Sequence, residues 1–244
     1  MNTVMIASKR LSSVLVVCFT ISGCATRSPL LRQQCYDADK QLASVLQPLE
    51  ALRAQGCSTA IGRGGGSDCY RLETEVARLA VVCPGHAPTL MANAVIAYDN
   101  HRPEEAQQFL DQILSQSRPY PDAAVLRARI ALEEGNAPFA RRLIEQQIKL
   151  VPDHAGLREV HAATLFLDHR LDEARAELTT AGALGAPRWR VAYHLGVIEE
   201  VSGRPEEAAR LYTEALQGNP GWAEADSRLR ALRAASPPAT GSPR

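Results

Sequence analysis

The feature that most constrains this chain is a phrase that recurs at a fixed interval. HRPEEAQQFL occupies residues 101–110 and GRPEEAARLY occupies residues 203–212, so the two copies are separated by three intervals of 34 residues. Small residues recur at the same step in two series, which are Ala94, Ala128, Ala162 and Gly196, and Ala106, Ala140, Ala174 and Ala208. A period of this length indicates an array of stacked units rather than one globular core.

The composition indicates that each unit is helical. Ala and Leu are abundant and runs of β-branched residues are few, and both properties favour helices. Pro103, Pro138 and Pro205 stand where the second helix of a unit would begin, and a missing N–H costs little in a first turn. A small side chain at both repeating positions would let the two helices of a unit approach closely. We therefore expect a series of helical hairpins.

The pattern resembles the tetratricopeptide repeat family, whose unit is a helical hairpin of about 34 residues. The resemblance covers four units within residues 87–222, and WRVAYHLGVIEEVSGRPEEAARLYTEALQGNP is the most similar unit. It implies an all-α fold, a right-handed α-solenoid in which neighbouring hairpins share a core. Residues that match the family pattern are the turn glycines Gly135 and Gly203 and the closing prolines Pro152 and Pro220. Departures from it are Asn93, Arg127 and His161, where the family prefers Leu, and His101 and His169 at the turns.

The first 24 residues resemble a bacterial lipoprotein signal. Lys9 and Arg10 precede an apolar run of eleven residues, which as a helix would rise about 16 Å against a hydrocarbon core of roughly 30 Å. Ile21-Ser22-Gly23-Cys24 resembles the lipobox, which implies cleavage before Cys24, transfer of a diacylglyceryl group to its thiol, and acylation of Cys24, with palmitate as an expected fatty acid. An ordinary signal peptide with a chance cysteine is the alternative.

This N-terminal pattern carries an expectation about location. Residue 25 is Ala rather than Asp, which in similar lipoproteins favours the outer membrane. We expect residues 1–23 to be the signal peptide, residues 24–34 to be the lipidated N-terminus and a short linker, and the folded body to face the periplasm.

Four further cysteines predict two disulfides, because an even number in an exported chain is typical of an oxidised framework. They are Cys35, Cys57, Cys69 and Cys83. A zinc site is the alternative. Helical patterns at residues 36–55 and 70–82 flank GCSTAIGRGGGSD, which we expect to be a flexible loop.

The helical patterns also select the pairing. Cysteines at opposite ends of one helix would lie about 20–30 Å apart, whereas disulfide Cα atoms lie within about 7 Å. Antiparallel packing of the two helices instead joins Cys57 to Cys69 and Cys35 to Cys83. We therefore expect a disulfide-linked helical hairpin over residues 35–84, with a first helix longer than the second unless Pro48 kinks or shortens it.

The sequence after the last repeat predicts a final helix followed by a tail. GWAEADSRLRALRAAS favours one more amphipathic helix, at residues 223–235, with a polar outer face suited to capping the stack. SPPATGSPR, at residues 236–244, is expected to be disordered.

The resemblance also implies a binding surface. In the family, the first helices of successive hairpins line a concave groove that holds a peptide or another protein. Transferred unit by unit, its positions are Met91, Val95, Tyr98 and Asp99; Val125, Arg129, Leu132 and Glu133; Glu159, Ala163, Phe166 and Leu167; and Arg190, Tyr193, Val197 and Glu200. Val95, Leu132 and Phe166 could instead belong to the core between repeats.

No motif in the sequence indicates catalysis or a cofactor. The six histidines lack ligand spacing, and we expect His101 and His169 at the turns to tolerate an unusual backbone angle rather than to bind metal. G-x-S-x-G and Walker motifs are absent, and the Gly-rich loop has no G-K-[ST] ending. The formal net charge is zero, so no basic excess favours nucleic acid.

Together these features predict a membrane-anchored periplasmic scaffold that binds a protein or peptide partner and is not an enzyme. Assembly of an envelope complex, such as pilus, secretion or outer-membrane machinery, is the expected setting. One alternative is a structural lipoprotein that self-associates, and another is an enzyme whose site has no recognisable motif. The oligomeric state stays open.

Overall fold

The described part of the computed structural model is residues 35–57 and 65–235. Within these ranges the chain forms eleven α-helices and no strand. They are α1 (Ala38–Ala54), α2 (Gly65–Val82), α3 (Ala87–Asp99), α4 (Pro103–Leu114), α5 (Pro121–Glu133), α6 (Ala137–Leu150), α7 (Ala155–Leu167), α8 (Leu171–Ala183), α9 (Arg188–Val201), α10 (Pro205–Gly218) and α11 (Ala223–Ala235). The predicted all-α solenoid is confirmed. The predicted signal peptide, Cys24, the linker and the tail at residues 236–244 lie outside the described residues.

Each helix packs against the next one along the chain, so α3 to α10 form four stacked hairpins. The first helices α5 and α7 also contact each other across neighbouring hairpins. The two small-residue series lie at the helix contacts and are buried throughout. In the first three hairpins a buried aliphatic side chain from the second helix shares a cluster with the small residue, as Leu110 does with Ala94. Close helix approach therefore follows from the sequence, as predicted.

The turns within the hairpins require a left-handed backbone. Gly135 and Gly203 have φ values of 76° and 73°, and His101 and His169 adopt φ values of 57° and 59° at the equivalent positions. The prediction that these two histidines occupy strained turn positions is confirmed. Such a conformation costs a non-glycine residue roughly 1–2 kcal/mol.

The N-terminal hairpin is joined by two disulfides with the predicted pairing. The outer bridge joins Cys35 to Cys83 and the inner bridge joins Cys57 to Cys69, with Cα separations of 5.5 and 6.1 Å. The expected difference in helix length is wrong, because α1 has 17 residues and α2 has 18. The loop was predicted to extend to Asp68, whereas α2 begins at Gly65 and takes Asp68 into its first turn, where an acidic side chain complements the helix dipole. Pro48 lies inside α1, which continues on both sides of it.

The disulfide-linked hairpin formed by α1 and α2 packs directly against the first repeat. Ile96 of α3 packs into the cluster formed by α1 and α2. The amide of Asn93, which stands where the family prefers Leu, donates to the carbonyl oxygens of Val76 and Thr89 at 3.1 and 2.9 Å. A polar side chain at this position therefore fastens the first repeat to α2.

Arg127 and His161 also stand where the family prefers Leu, and each places a polar group near an acidic side chain of a second helix. The guanidinium of Arg127 lies 4.5 Å from the ring centroid of Phe139 and donates to Asp111 at 2.9 Å. The Nδ1 atom of His161 lies 3.3 Å from a carboxylate oxygen of Glu177. Arg127 thus links a first helix to a second helix, whereas the Nδ1 atom of His161 is buried and makes no hydrogen bond within the described residues.

The C-terminal helix covers the last hairpin. Ala225 and Leu229 of α11 are buried against α9 and α10, while the other face of α11 is charged. Among the described helices, none combines the length and the apolar character that crossing a bilayer requires.

Candidate partner-binding groove

The first helices of the second, third and fourth hairpins line two clefts that run into each other. The clefts have volumes of about 320 and 190 Å³ and share Leu132, Glu159, Ala163 and His194. Eleven of the sixteen predicted groove residues line them, namely Val125, Arg129, Leu132, Glu133, Glu159, Ala163, Phe166, Leu167, Arg190, Tyr193 and Val197. We call the joined clefts the α5–α9 groove. Its larger end also receives Leu178 of α8 and Arg228 of α11.

The larger cleft is mostly apolar. Phe166, Leu167 and Val197 form its wall together with the ring of Tyr193, and Ala163 leaves space between them. Leu167 is 51% exposed, which is unusual for a large aliphatic side chain on a helix that is otherwise packed. Leu132 and Phe166 are partly buried and also pack against the core. Each of them therefore both lines the groove and contributes to the core between repeats, the two roles that the sequence left open. A cleft of this size and character can accept one or two large apolar side chains.

The smaller cleft is charged. The guanidinium of Arg190 pairs with Glu159 through two contacts of 2.9 and 2.8 Å, and the Glu159 side chain is 11% exposed. This bidentate arrangement fixes both side chains. Arg129 lies beside them, and its side chain makes no hydrogen bond or ion pair with any residue that the structure describes. The positive charge of Arg129 is therefore available to a ligand.

His194 is the only titratable residue besides Arg228 among the cleft-lining residues that the sequence reasoning missed. Burial lowers the pKa of the imidazole, Glu159 acts in the opposite direction, and Arg129 and Arg190 lower the pKa further. Its ring nitrogens make no hydrogen bond within the described residues, so the neutral ring can still donate or accept one. A signal was present, because Leu126 and Val160 occupy the equivalent repeat positions. A titratable residue at a repeat position that is apolar in the other units indicates that this position has different surroundings.

The remaining five predicted residues lie outside the α5–α9 groove. Met91 lines a separate small cleft with Tyr120, and Val95 is exposed on α3. The other three are engaged by neighbouring groups, since Tyr98 donates to Glu133 at 2.5 Å, Asp99 pairs with Arg53 at 2.7 Å, and Glu200 accepts from Tyr212 and Arg228 at 2.5 and 3.0 Å. The α5–α9 groove is therefore lined by fewer of the predicted residues than the sequence suggested.

The α5–α9 groove contains few chemically reactive groups among the described residues. No group of three or more His, Cys, Asp or Glu side chains in the described ranges is placed to hold a metal ion. His194 has an arginine on either side and no nucleophile bonded to it in the described residues, and Glu159 is fully used by Arg190. What the groove offers is an apolar cleft, one free guanidinium and one neutral imidazole.

A family model matches part of the repeat region. Residues 97–164 match the tetratricopeptide repeat family. The comparison with curated proteins gave no match.

Solved structures share the fold. One is TTC0263, a thermophilic TPR protein from Thermus thermophilus, with a TM-score of 0.63 and 17% identity over 79% of this chain and 99% of that one. A second is MamA from Desulfovibrio magneticus RS-1, residue 41 to the end, with a TM-score of 0.52 and 12% identity over 75% and 97%. A third is YrrB, a TPR protein with an unusual peptide-binding site, with a TM-score of 0.50 and 12% identity over 83% and 97%. At these identities the similarity shows a tetratricopeptide-type solenoid.

Proposed function

We propose that this protein is a lipid-anchored scaffold of the bacterial envelope that binds a protein or peptide partner in the α5–α9 groove. The observation that carries the proposal is the groove itself. It combines a nearly apolar cleft with an unpaired guanidinium on the faces of three rigid helices. Interfaces concentrate their binding energy in aromatic and Arg side chains placed this way. The structure of YrrB, a TPR protein with a peptide-binding site, supports the same use of the fold.

The N-terminal sequence supports the anchor. Ile21-Ser22-Gly23-Cys24 has the order of residues that the lipoprotein signal peptidase requires, and Ala25 favours retention at the outer membrane. Residues 25–34 would form the tether, and ten residues span at most about 35 Å. A body on so short a tether stays near the bilayer, so its partner is a component of the envelope or passes through it. We propose the assembly of pilus, secretion or outer-membrane machinery as the setting.

A pair of matched leucine variants tests the groove. Leu167 is 51% exposed in the groove, and Leu150 is 57% exposed at the end of α6, away from it. Crosslinking in the native host, followed by quantitative mass spectrometry, compares the full chain with its Leu167→Ser and Leu150→Ser variants. We expect Leu167→Ser to reduce the yield of the captured partner several-fold and Leu150→Ser to leave it unchanged. Equal capture by all three chains would show that the partner does not use the groove.

Lipidation is tested separately. Wild-type chain labelled in cells with a fatty-acid probe should become labelled, and Cys24→Ala should abolish the label and release the protein from membranes. Continued labelling of the Cys24→Ala variant would rule out the anchor.

A further inference from the structure

Arg129 differs from the other two arginines of the α5–α9 groove because it alone has no partner among the described residues. Arg190 is held by Glu159, and Arg228 donates to Glu200. Arg129 is exposed, yet Glu133 stands one helical turn away on α5, where an ion pair would ordinarily form.

Glu133 is occupied elsewhere. Its carboxylate accepts the hydroxyl of Tyr98 at 2.5 Å, which holds it against α3. The same bond raises the pKa of Tyr98, so the hydroxyl keeps its proton over the physiological range. Glu159, the other carboxylate that lines the smaller cleft, pairs with Arg190 through both of its oxygens. Both acidic groups around Arg129 are therefore fixed in other bonds.

The free guanidinium adjoins the apolar cleft. Leu132, Ala163 and His194 line both the charged and the apolar parts of the groove, so the two parts are neighbours on one surface. A small anion would satisfy Arg129 and leave the apolar cleft open to water. A purely apolar segment would bury Arg129 without a partner, which is costly. Only a ligand that carries both features satisfies the whole groove.

Building on the proposed function, we propose that the groove selects a peptide segment in which an Asp or Glu side chain pairs with Arg129 while a neighbouring large apolar side chain enters the cleft walled by Phe166, Leu167 and Val197. Arg129 supplies the charge that chooses the acidic residue, and the cleft supplies most of the buried area. His194, neutral and without a hydrogen-bond partner in the described residues, lies between them and can donate to the segment's backbone.

The test uses short random peptides displayed on phage, with the purified full chain under oxidising conditions as the target. Wild type is compared with Arg129→Gln and with Arg142→Gln, since Arg142 is also exposed and unpaired within the described residues but lies on α6, away from the groove. Wild type and Arg142→Gln should select peptides with an acidic residue close to Phe, Leu or Trp. Arg129→Gln should keep the apolar preference and lose the acidic one.

Affinities of one selected peptide complete the test. Arg129→Gln should weaken its binding about tenfold or more, and Arg142→Gln should change it less than twofold. The difference between wild type and Arg129→Gln should shrink at high salt, because part of it is a charge interaction near the surface. Far-UV circular dichroism checks that all variants are folded.

The outcomes separate the two proposals. If wild type selects peptides that require Leu167 but show no acidic preference, the role of Arg129 is wrong and the groove remains a binding site. If no selected peptide is sensitive to Leu167→Ser, the proposed function itself fails.

Discussion

Replacing Gly196 with Ala should destabilise the fourth hairpin, although the same change usually stabilises a helix. In the first three hairpins the small residue is Ala and its partner on the second helix is aliphatic, as in Ala94 with Leu110. In the fourth the partner is Tyr212, which is fully buried, and the small residue is Gly. A Cβ at residue 196 would lie 2.7 and 2.8 Å from Cε1 and Cδ1 of the Tyr212 ring. Carbon atoms at optimal contact are about 3.5–4.0 Å apart.

The magnitude follows from two opposing terms. Ala stabilises a helix interior by about 1 kcal/mol relative to Gly. Overpacking of a close-packed core costs about 1–3 kcal/mol, and the Tyr212 ring cannot easily retreat because its hydroxyl donates to Glu200 at 2.5 Å. We expect a net loss of up to about 2 kcal/mol. Gly182→Ala is the matched control, because its Cβ would meet Val191 at 3.8 Å, an ordinary contact, and only the gain of about 1 kcal/mol remains.

Urea unfolding followed by tryptophan fluorescence measures this region directly. The chain has two tryptophans, and their rings meet edge to face at 4.9 Å beside the fourth hairpin. Solenoids can unfold in parts, so a local signal is preferable to a global one. Gly196→Ala should lower the midpoint and Gly182→Ala should raise it.

A double substitution tests the cause. Tyr212→Leu alone should destabilise the protein, since it leaves a cavity beside Gly196. Combined with Gly196→Ala it recreates the pair of the earlier hairpins. The double variant should therefore lose less stability than the sum of the two single losses, by about 1–3 kcal/mol. Strict additivity, or a Gly196→Ala variant as stable as Gly182→Ala, would refute the size-matching argument.

Three further predictions concern stability, each measured by the urea midpoint. His169→Gly should stabilise by about 1 kcal/mol by relieving its left-handed conformation, and Gly135→Ala should destabilise by a similar amount. Replacing both cysteines of the outer bridge by Ser should cost about 4 kcal/mol and those of the inner bridge about 3, because the bridges close loops with sequence separations of 48 and 12; the reverse order would contradict the chain-entropy argument. Burial lowers the pKa of His194, so its contribution to stability is present above the unfolded value near pH 6.5 and is lost as pH falls below it. His194→Gln should therefore flatten the decline below about pH 6.5, and an unchanged decline would show that other groups cause it.

The sequence predicted the elements of the fold because each depends on local rules. The 34-residue step, the turn positions and the cysteine spacing all act within one hairpin or between neighbours. The start of α2 was missed because glycines at residues 65 and 66 carry no helical preference. A helix begins there in spite of the local composition, ahead of Cys69, the residue through which α2 joins the inner bridge.

The groove was harder to predict than the fold because one repeat position has different neighbours in each unit. Tyr98, Leu132, Phe166 and Glu200 occupy the same position at steps of 34 residues. The two middle members line the groove. The two outer members form hydrogen bonds, Tyr98 to Glu133 and Glu200 to Tyr212 and Arg228. Their partners lie on other helices, so no local pattern in the sequence identifies them.

These partners help to explain why the outer members of this repeat position do not line the α5–α9 groove. At the N-terminal end, Arg53 of the disulfide-linked hairpin forms an ion pair with Asp99, so the acidic group of the first unit is already paired. At the C-terminal end, Arg228 of the capping helix takes Glu200 in the same way. Each of these arginines therefore pairs with an acidic group of the unit that its cap covers. Arg129 is unpaired within the described residues because the carboxylates beside it are bonded elsewhere, Glu133 to Tyr98 and Glu159 to Arg190. The contacts that end the solenoid thus also help to define the extent of the α5–α9 groove.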